Sequence, residues 1–259
     1  VTAPALSHSF VTVDGCRTSL WRGGEGPPLL FLHGAQGVPA PLPFMNELAK
    51  RFEVLAPEHP GFGLTDVPPW LDNIHDVAYF YLDFLRALDL RGVYVVGQAL
   101  GGWIAAEVAV RDTSRIARLA LAGATGLHVP HAPTLDVFSV DDTQMADYLF
   151  HDPKLAAAAR QRAAEAHASP IAKKNRQSLE RLARATAFTD PHLHKWLHRI
   201  DVPVLLLWGE QDRPVPVAQG RVWESLIPGA RLQLLRECGH LPHVEKSAEY
   251  VAALQAFAA

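Results

Sequence analysis

The sequence predicts an α/β fold, with a mostly parallel central sheet flanked by helices and a helical cap inserted after the sixth strand. Three observations lead there. Short apolar runs alternate with helix-like stretches over residues 28–122; from about residue 128 to about 200 only helical patterns continue; the alternation then resumes to the C-terminus. The expected division is a core of 1–127 and 201–259 around a cap of 128–200.

Each element has its own signal. Residues 9–13 run into Asp14-Gly15, a hairpin turn, and residues 18–22 end at Gly23-Gly24. The unbroken run "PLLFL" at 28–32 is what a strand buried on both faces requires. Helix is expected at 43–50, 77–88 and 102–110, and strand at 52–56, 93–96 and 116–122. In the cap, the alanine run at 155–159 opens one helix and residues 178–185 form another, both rich in the helix formers Ala and Arg. No strand is expected between about 128 and 200. Strands at 204–208 and 231–235 then pair with helices at 218–226 and 248–258.

Composition narrows the functional classes. With 49% hydrophobic and 20% charged residues, 259 residues suit a folded domain with a substantial core. The formal charge of −3 and the lack of a basic tract exclude a nucleic-acid surface. Cys16 and Cys238 are too few for a disulfide framework and read as buried small residues in a reducing compartment. The densest apolar run, 202–208, is far short of the roughly 18 residues that cross a bilayer. Residues 1–4 lack the basic-then-apolar pattern of a signal peptide, although a start at Val1 leaves a removed leader or tag open. The expectation is a cytoplasmic monomer or homodimer acting on a small molecule, without nucleic acid, membrane or cofactor.

The chemistry centres on "VVGQALGGW", residues 95–103. A strand leads into Gly97-Gln98-Ala99-Leu100-Gly101 and a helix follows, the frame of a Gly-x-Ser-x-Gly nucleophile elbow with Ala99 at the serine position. In such folds an acid and then a histidine follow the elbow in the chain. "WGEQD" at 208–212 and "ECGH" at 237–240 each come directly after a strand, where loops gather at the sheet's carboxyl edge. The loop "LHGA" at 32–35 is placed to supply one oxyanion-hole N–H from Ala35, the other coming from Leu100.

"FLHGAQG", "PEHPGFG", "VVGQALGG", "WGEQD" and "CGHLPHVEK" occur in an order and spacing that resembles the α/β-hydrolase-fold superfamily with a helical cap, from Ser9 to the C-terminus. The resemblance implies a catalytic triad of position 99, Asp212 (favoured over Glu210) and His240, and no metal. It leaves the substrate open among esters, lactones, carbon–carbon bonds, halides and epoxides, and it includes cofactor-free oxygenases. The spacing of His192, His194 and His198 suggests metal ligands, but without a neighbouring cysteine or repeated carboxylate they read as exposed helix residues. His33 and His59 are expected to brace loops, and His243 to be a pocket wall or surface residue. For the substrate pocket, Phe138, Tyr148, Leu149 and Phe150 are candidate lining and Trp103 a candidate floor. Gln98 either touches substrate or braces the turn. Lys173, Lys174 and Arg176 either hold a substrate carboxylate or form a solvated helix face, the second being expected.

Ala99 admits three explanations. A serine has been replaced by alanine in an otherwise intact hydrolase; the chain is a natural pseudo-hydrolase that binds a ligand; or His240 and Asp212 work as a general base without a nucleophile, in lyase-like or oxygenase chemistry. The intact base, acid and oxyanion loop favour the first. Among hydrolases, the carbon–carbon hydrolases of ring-cleavage products often carry Asn before the nucleophile and an aromatic residue after the histidine. Gln98 and Leu241 stand there instead, which favours an esterase or lactonase.

Overall fold

The computed structural model describes residues 6–166 and 169–258, so the N-terminal stretch tested above for a signal peptide lies outside the described residues. β1 (Ser7–Val13) and β2 (Cys16–Gly23) form the expected antiparallel hairpin. Its turn puts both Asp14 (φ 46°) and Gly15 (φ 76°) in the left-handed region, as a two-residue primed turn requires. Next come β3 (Pro28–Leu32), α1 (Pro43–Leu48), β4 (Glu53–Pro57), α2 (Ile74–Ala87), β5 (Val93–Gln98), α3 (Leu100–Arg111) and β6 (Ile116–Ala122). α2 starts three residues before the apolar pattern suggested because Asn73 and Asp76 form a capping box that satisfies its first N–H groups.

β7 (Gly126–Leu127) leads into the inserted region, which holds α4 (Asp142–Leu149), α5 (Pro153–Ala166), α6 (Pro170–Leu179) and β8 (Thr189–Asp190). The expectation of no strand there needs correction: β8 pairs in parallel with β7. Two residues are too few to carry a periodic signal. The helix expected at 178–185 is divided as well, α6 ending at Leu179 and a π-helical turn covering Glu180–Arg184. β9 (Val204–Gly209), α7 (Val217–Leu226), β10 (Arg231–Leu235), α8 (Pro242–Glu245) and α9 (Ser247–Ala258) complete the chain.

The eight-stranded sheet has the order β1-β2-β4-β3-β5-β6-β9-β10, parallel from β4 to β10. Alternation along β5 shows why its residues are all apolar up to the glycine. Val93 and Val95 enter the core beneath α2, α3 and α7, with Phe84, Ile104 and Trp223. Tyr94 and Val96 enter the opposite core, with Phe44 of α1 and Leu254 of α9. Each large side chain so buried contributes about 1.5–3 kcal/mol, which fixes β5 at the centre of the sheet and with it the turn that follows.

α6 docks on the loops after β3 and β4 by polar contacts. Asn175 Oδ1 accepts from the Gly63 N–H (2.8 Å) and its Nδ2 donates to the Gln36 carbonyl (3.1 Å). Ser178 Oγ donates to the Gly61 carbonyl (2.6 Å), and the Lys174 ammonium to the carbonyls of Gly63 (2.9 Å) and Thr65 (2.5 Å).

Candidate active site

The turn between β5 and α3 holds Ala99 at φ 51°, ψ −112°. For a residue with a Cβ this conformation costs roughly 1–3 kcal/mol and persists only where its surroundings impose it. Here they do. The Ala99 N–H donates to the Ala122 carbonyl (2.9 Å), while its own carbonyl accepts from Gly102 (3.0 Å), Trp103 (3.2 Å) and Thr125 (3.2 Å). The strand and helix close on each other because Gly101 lacks a side chain: a Cβ there would lie 2.0 Å from the Leu32 carbonyl oxygen.

Asp212 and His240 emerge from the loops after β9 and β10, at the same carboxyl edge. His240 Nδ1 donates to Asp212 Oδ2 at 2.8 Å, and the second carboxylate oxygen accepts from the Val215 N–H at 2.8 Å. Both side chains are buried, so the pair is held in a fixed geometry away from bulk water. Gly123, at φ 53°, roofs the pair; a Cβ there would sit 3.1 Å from both Asp212 Oδ2 and His240 Nδ1. Gln98 ties the turn to the histidine loop by donating from Nε2 to the His240 carbonyl at 2.9 Å. Gly34 approaches from the loop after β3, its Cβ position lying 3.6 Å from the Ala99 methyl. Leu100 opens α3, so its N–H has no acceptor within the helix.

This turn, acid and base at one edge of an eight-stranded sheet are accompanied by a match of residues 29–254 to the family described as "Alpha/beta hydrolase family". The chain belongs to that family. It is 28% identical over 279 residues to a 2-hydroxymuconate semialdehyde hydrolase of Pseudomonas sp. (strain CF600), covering 99% of this chain and 95% of that protein. Among solved structures it resembles a bacterial membrane phospholipase A, at TM-score 0.81 and 27% identity, covering 98% of this chain and 86% of that one. It also shares its fold with a serine-to-alanine mutant, complexed with acetates, of the meta-cleavage product hydrolase from Pseudomonas fluorescens IP01, at TM-score 0.81 and 23% identity, covering 96% of each chain. Among the described residues no helix is long and apolar enough to cross a membrane.

The other sequence-predicted residues fall in several places in this hydrolase. Gln98 is 1% exposed and braces the turn as described, with Oε1 lacking a hydrogen-bond partner among the described residues. Trp103, the expected pocket floor, is a core residue instead: it is 2% exposed, its ring lies under Gly126 and its N–H goes to Glu107 Oε1 (3.1 Å). Phe138 is half-buried, stacked on Phe188 with the guanidiniums of Arg176 and Arg184 over its ring. Arg176 also contacts Glu180 Oε1 at 3.4 Å, so the cation considered for a substrate carboxylate already has one from its own helix. Lys174 is occupied by loop carbonyls, and Lys173 is exposed. Tyr148 is half-buried on α4, next to Leu149, whose carbonyl accepts from the His240 N–H at 2.8 Å. Cys16 and Cys238 are buried free thiols, and burial pushes the Cys238 thiol up to about 12.

His192, His194 and His198 are exposed. The one metal-like cluster among the described residues is elsewhere, at His75, Glu107 and Asp190. Arg111 already supplies the positive charge there, donating to Glu107 Oε2 (2.5 Å) and lying 2.9 Å from His75 Nδ1. Burial alone would raise the Glu107 carboxyl, but the hydrogen bonds from His75 and Arg111 outweigh it and hold it at about 2. The cluster is an ion-pair network. His243 is neither pocket wall nor surface: it is buried among Phe31, Phe44 and Tyr250, and burial drives its imidazole down to about 3.

Proposed function

We propose that the chain is a serine-hydrolase scaffold from which the attacking oxygen has been removed at position 99, and that serine at that position makes it cleave a small carboxylic ester, lactone or related carbonyl substrate. The strained backbone at Ala99 carries this reading. A residue with no polar atom is held in a strained strand-to-helix turn of the kind that presents a nucleophile, and its neighbour Gln98 ties that turn to the loop of an assembled His240–Asp212 pair.

With serine at position 99, Oγ attacks the carbonyl carbon while His240 Nε2 takes its proton; Asp212 holds the resulting imidazolium. The Leu100 and Ala35 N–H groups receive the oxyanion. Collapse of the tetrahedral adduct expels the leaving group, which takes the proton back from His240. Water activated by the same histidine then releases the acyl group. Relatives such as the 2-hydroxymuconate semialdehyde hydrolase and the meta-cleavage product hydrolase favour a second substrate class, the carbon–carbon bond next to a carbonyl in a ring-cleavage product. The phospholipase likeness favours the ester.

The test is turnover of a short-chain p-nitrophenyl ester and of a vinylogous diketone acid by the Ala99 chain and by Ala99→Ser, each with and without His240→Ala. We expect Ala99→Ser to raise kcat at least about a thousandfold, with burst release of the first product and full dependence on His240. No gain on either substrate class overturns the reading in favour of a ligand-binding pseudo-hydrolase. Turnover by the Ala99 chain that disappears with His240→Ala points to nucleophile-free general-base chemistry.

A further inference from the structure

The loop carrying His240 is held from three sides. Gln98 takes the His240 carbonyl, and the Leu149 carbonyl at the end of α4 takes the His240 N–H. The third hold is Glu245, the last residue of α8. Its Oε2 accepts the Gly239 N–H at 2.5 Å and its Oε1 accepts the Asp152 N–H at 2.5 Å. Gly239 immediately precedes His240, and Asp152 immediately precedes α5 of the inserted region. One carboxylate therefore spans the histidine loop and the cap. The two backbones touch directly: a Cβ on Gly239 would lie 2.5 Å from the Leu149 carbonyl oxygen and 2.9 Å from the His151 nitrogen.

We propose that Glu245 is a positioning residue for the base: its carboxylate clamps cap residues 149–152 to the loop of His240, so that the imidazole is placed by the seating of the cap. The effect on turnover rests on the hydrolase reading above; the effect on the imidazole does not. α8 itself gives no reason for the acid, because a negative charge at a helix C-terminus faces the unfavourable end of the dipole. Its two charge-assisted hydrogen bonds do give one. A carboxylate is acceptor-only on both oxygens, whereas an amide offers one acceptor and turns an NH2 toward the other N–H. Glu245→Gln thus keeps the shape and loses one side of the clamp, and Glu245→Asp keeps the charge but is one methylene too short to reach both sides.

Both variants are made in the full chain and read twice. In the Ala99 chain, NMR follows the His240 ring nitrogens, its Nδ1 proton shared with Asp212, and amide exchange at Gly239, His240 and Asp152. Glu245→Gln should raise exchange at all three amides together by at least about tenfold and shift or broaden the His240 ring signals. In the Ala99→Ser background, kcat should fall about tenfold to a hundredfold, as expected for a misplaced base. KM should stay within about twofold, since no substrate contact is removed. Glu245→Asp should fall between the parent and Glu245→Gln on each measure, and it serves where Glu245→Gln does not fold. A lowered melting temperature with unchanged His240 ring signals and unchanged kcat would overturn the proposal and leave Glu245 a structural brace. If Ala99→Ser shows no turnover with Glu245 intact, the hydrolase reading fails, while the ring and amide signals still decide the role of Glu245.

Discussion

His33 and His59 are buried as deeply as His240, at 1%, 0% and 5% exposure, yet the two sites have opposite chemistry. The His33 and His59 rings lie 3.7 Å apart, and burial favours the neutral form of both. His33 Nδ1 donates to the Gly34 carbonyl (2.6 Å) while its Nε2 accepts the His59 N–H (2.9 Å). His59 Nε2 donates to the His33 carbonyl (2.9 Å) and its Nδ1 faces the Tyr81 hydroxyl (2.6 Å). Every ring nitrogen has a partner, so neither ring has a nitrogen free for a substrate. His240 differs in having a buried carboxylate, Asp212 Oδ2, at Nδ1 (2.8 Å) rather than a backbone carbonyl or a hydroxyl. The ring nitrogens of His33 and His59 are spent on holding their loops; the carboxylate at Nδ1 is what the role of base proposed for His240 requires.

The difference is broken most severely at Asp212. In the Ala99→Ser background, Asp212→Asn can keep the Val215 N–H on its carbonyl oxygen, which turns the amide NH2 toward His240 Nδ1. Nδ1 must then give up its proton, and Nε2 carries it and cannot receive one from serine. We expect kcat to drop about ten-thousandfold with little change in fold. Ester turnover together with circular dichroism checks this, and retention of even a tenth of the activity would show that Asp212 does not set the tautomer.

The converse change belongs to the brace. His33→Ala leaves the His59 N–H without its partner and the Gly34 carbonyl with the Gly37 N–H (3.2 Å), and it opens a cavity beside Phe62. The expected cost is about 2–4 kcal/mol of folding stability in urea, with the His240 ring signals unmoved. A shift of those signals would mean that the two sites are coupled and that the contrast is too sharp.

The candidate site residues were more legible in the sequence than the contacts that hold them. Position 99 follows directly on β5, and Asp212 and His240 lie in the loops just after β9 and β10, so period and turn residues locate them without any knowledge of packing. Ala35 and Leu100 are named from the same strand-end positions. Asn175, Ser178 and Glu245 are invisible because their bonds reach backbone groups more than ninety residues away or across a loop, and no local pattern encodes such pairs. Trp103 shows the reverse error. An aromatic residue one turn into the elbow helix suggests a pocket, but the floor position is sealed by Gly126 and the indole is spent on Glu107. His243 misled through proximity to His240; its neighbours Phe44 and Tyr250 come from α1 and α9 and appear only once the chain is folded.

The smallest effect sharpens the contrast by titration. Burial lowers His33 to about 4, His243 to about 3 and His59 well below its ordinary value, whereas in the unfolded chain each takes up a proton near 6.5. Below that pH the unfolded chain binds more protons than the folded one. The stability these residues contribute is therefore complete above about 6.5 and is lost as pH falls toward 4, at about 1.4 kcal/mol per pH unit for each histidine. His75 runs the other way: its hydrogen bond to Glu107 raises it, so its contribution is present at low pH and fades as pH rises through its folded value. His243→Phe isolates one term. His243 Nδ1 has no hydrogen-bond partner among the described residues and the ring is surrounded by Phe31, Phe44 and Tyr250, so stability at pH 7.5 should change by less than about 1 kcal/mol. The slope between pH 6 and 4.5 should flatten by about 1.4 kcal/mol per unit, read from urea midpoints across that window. An unchanged slope would mean that His243 is not buried as a neutral ring, and that its aromatic pocket does not separate it from the base three residues earlier.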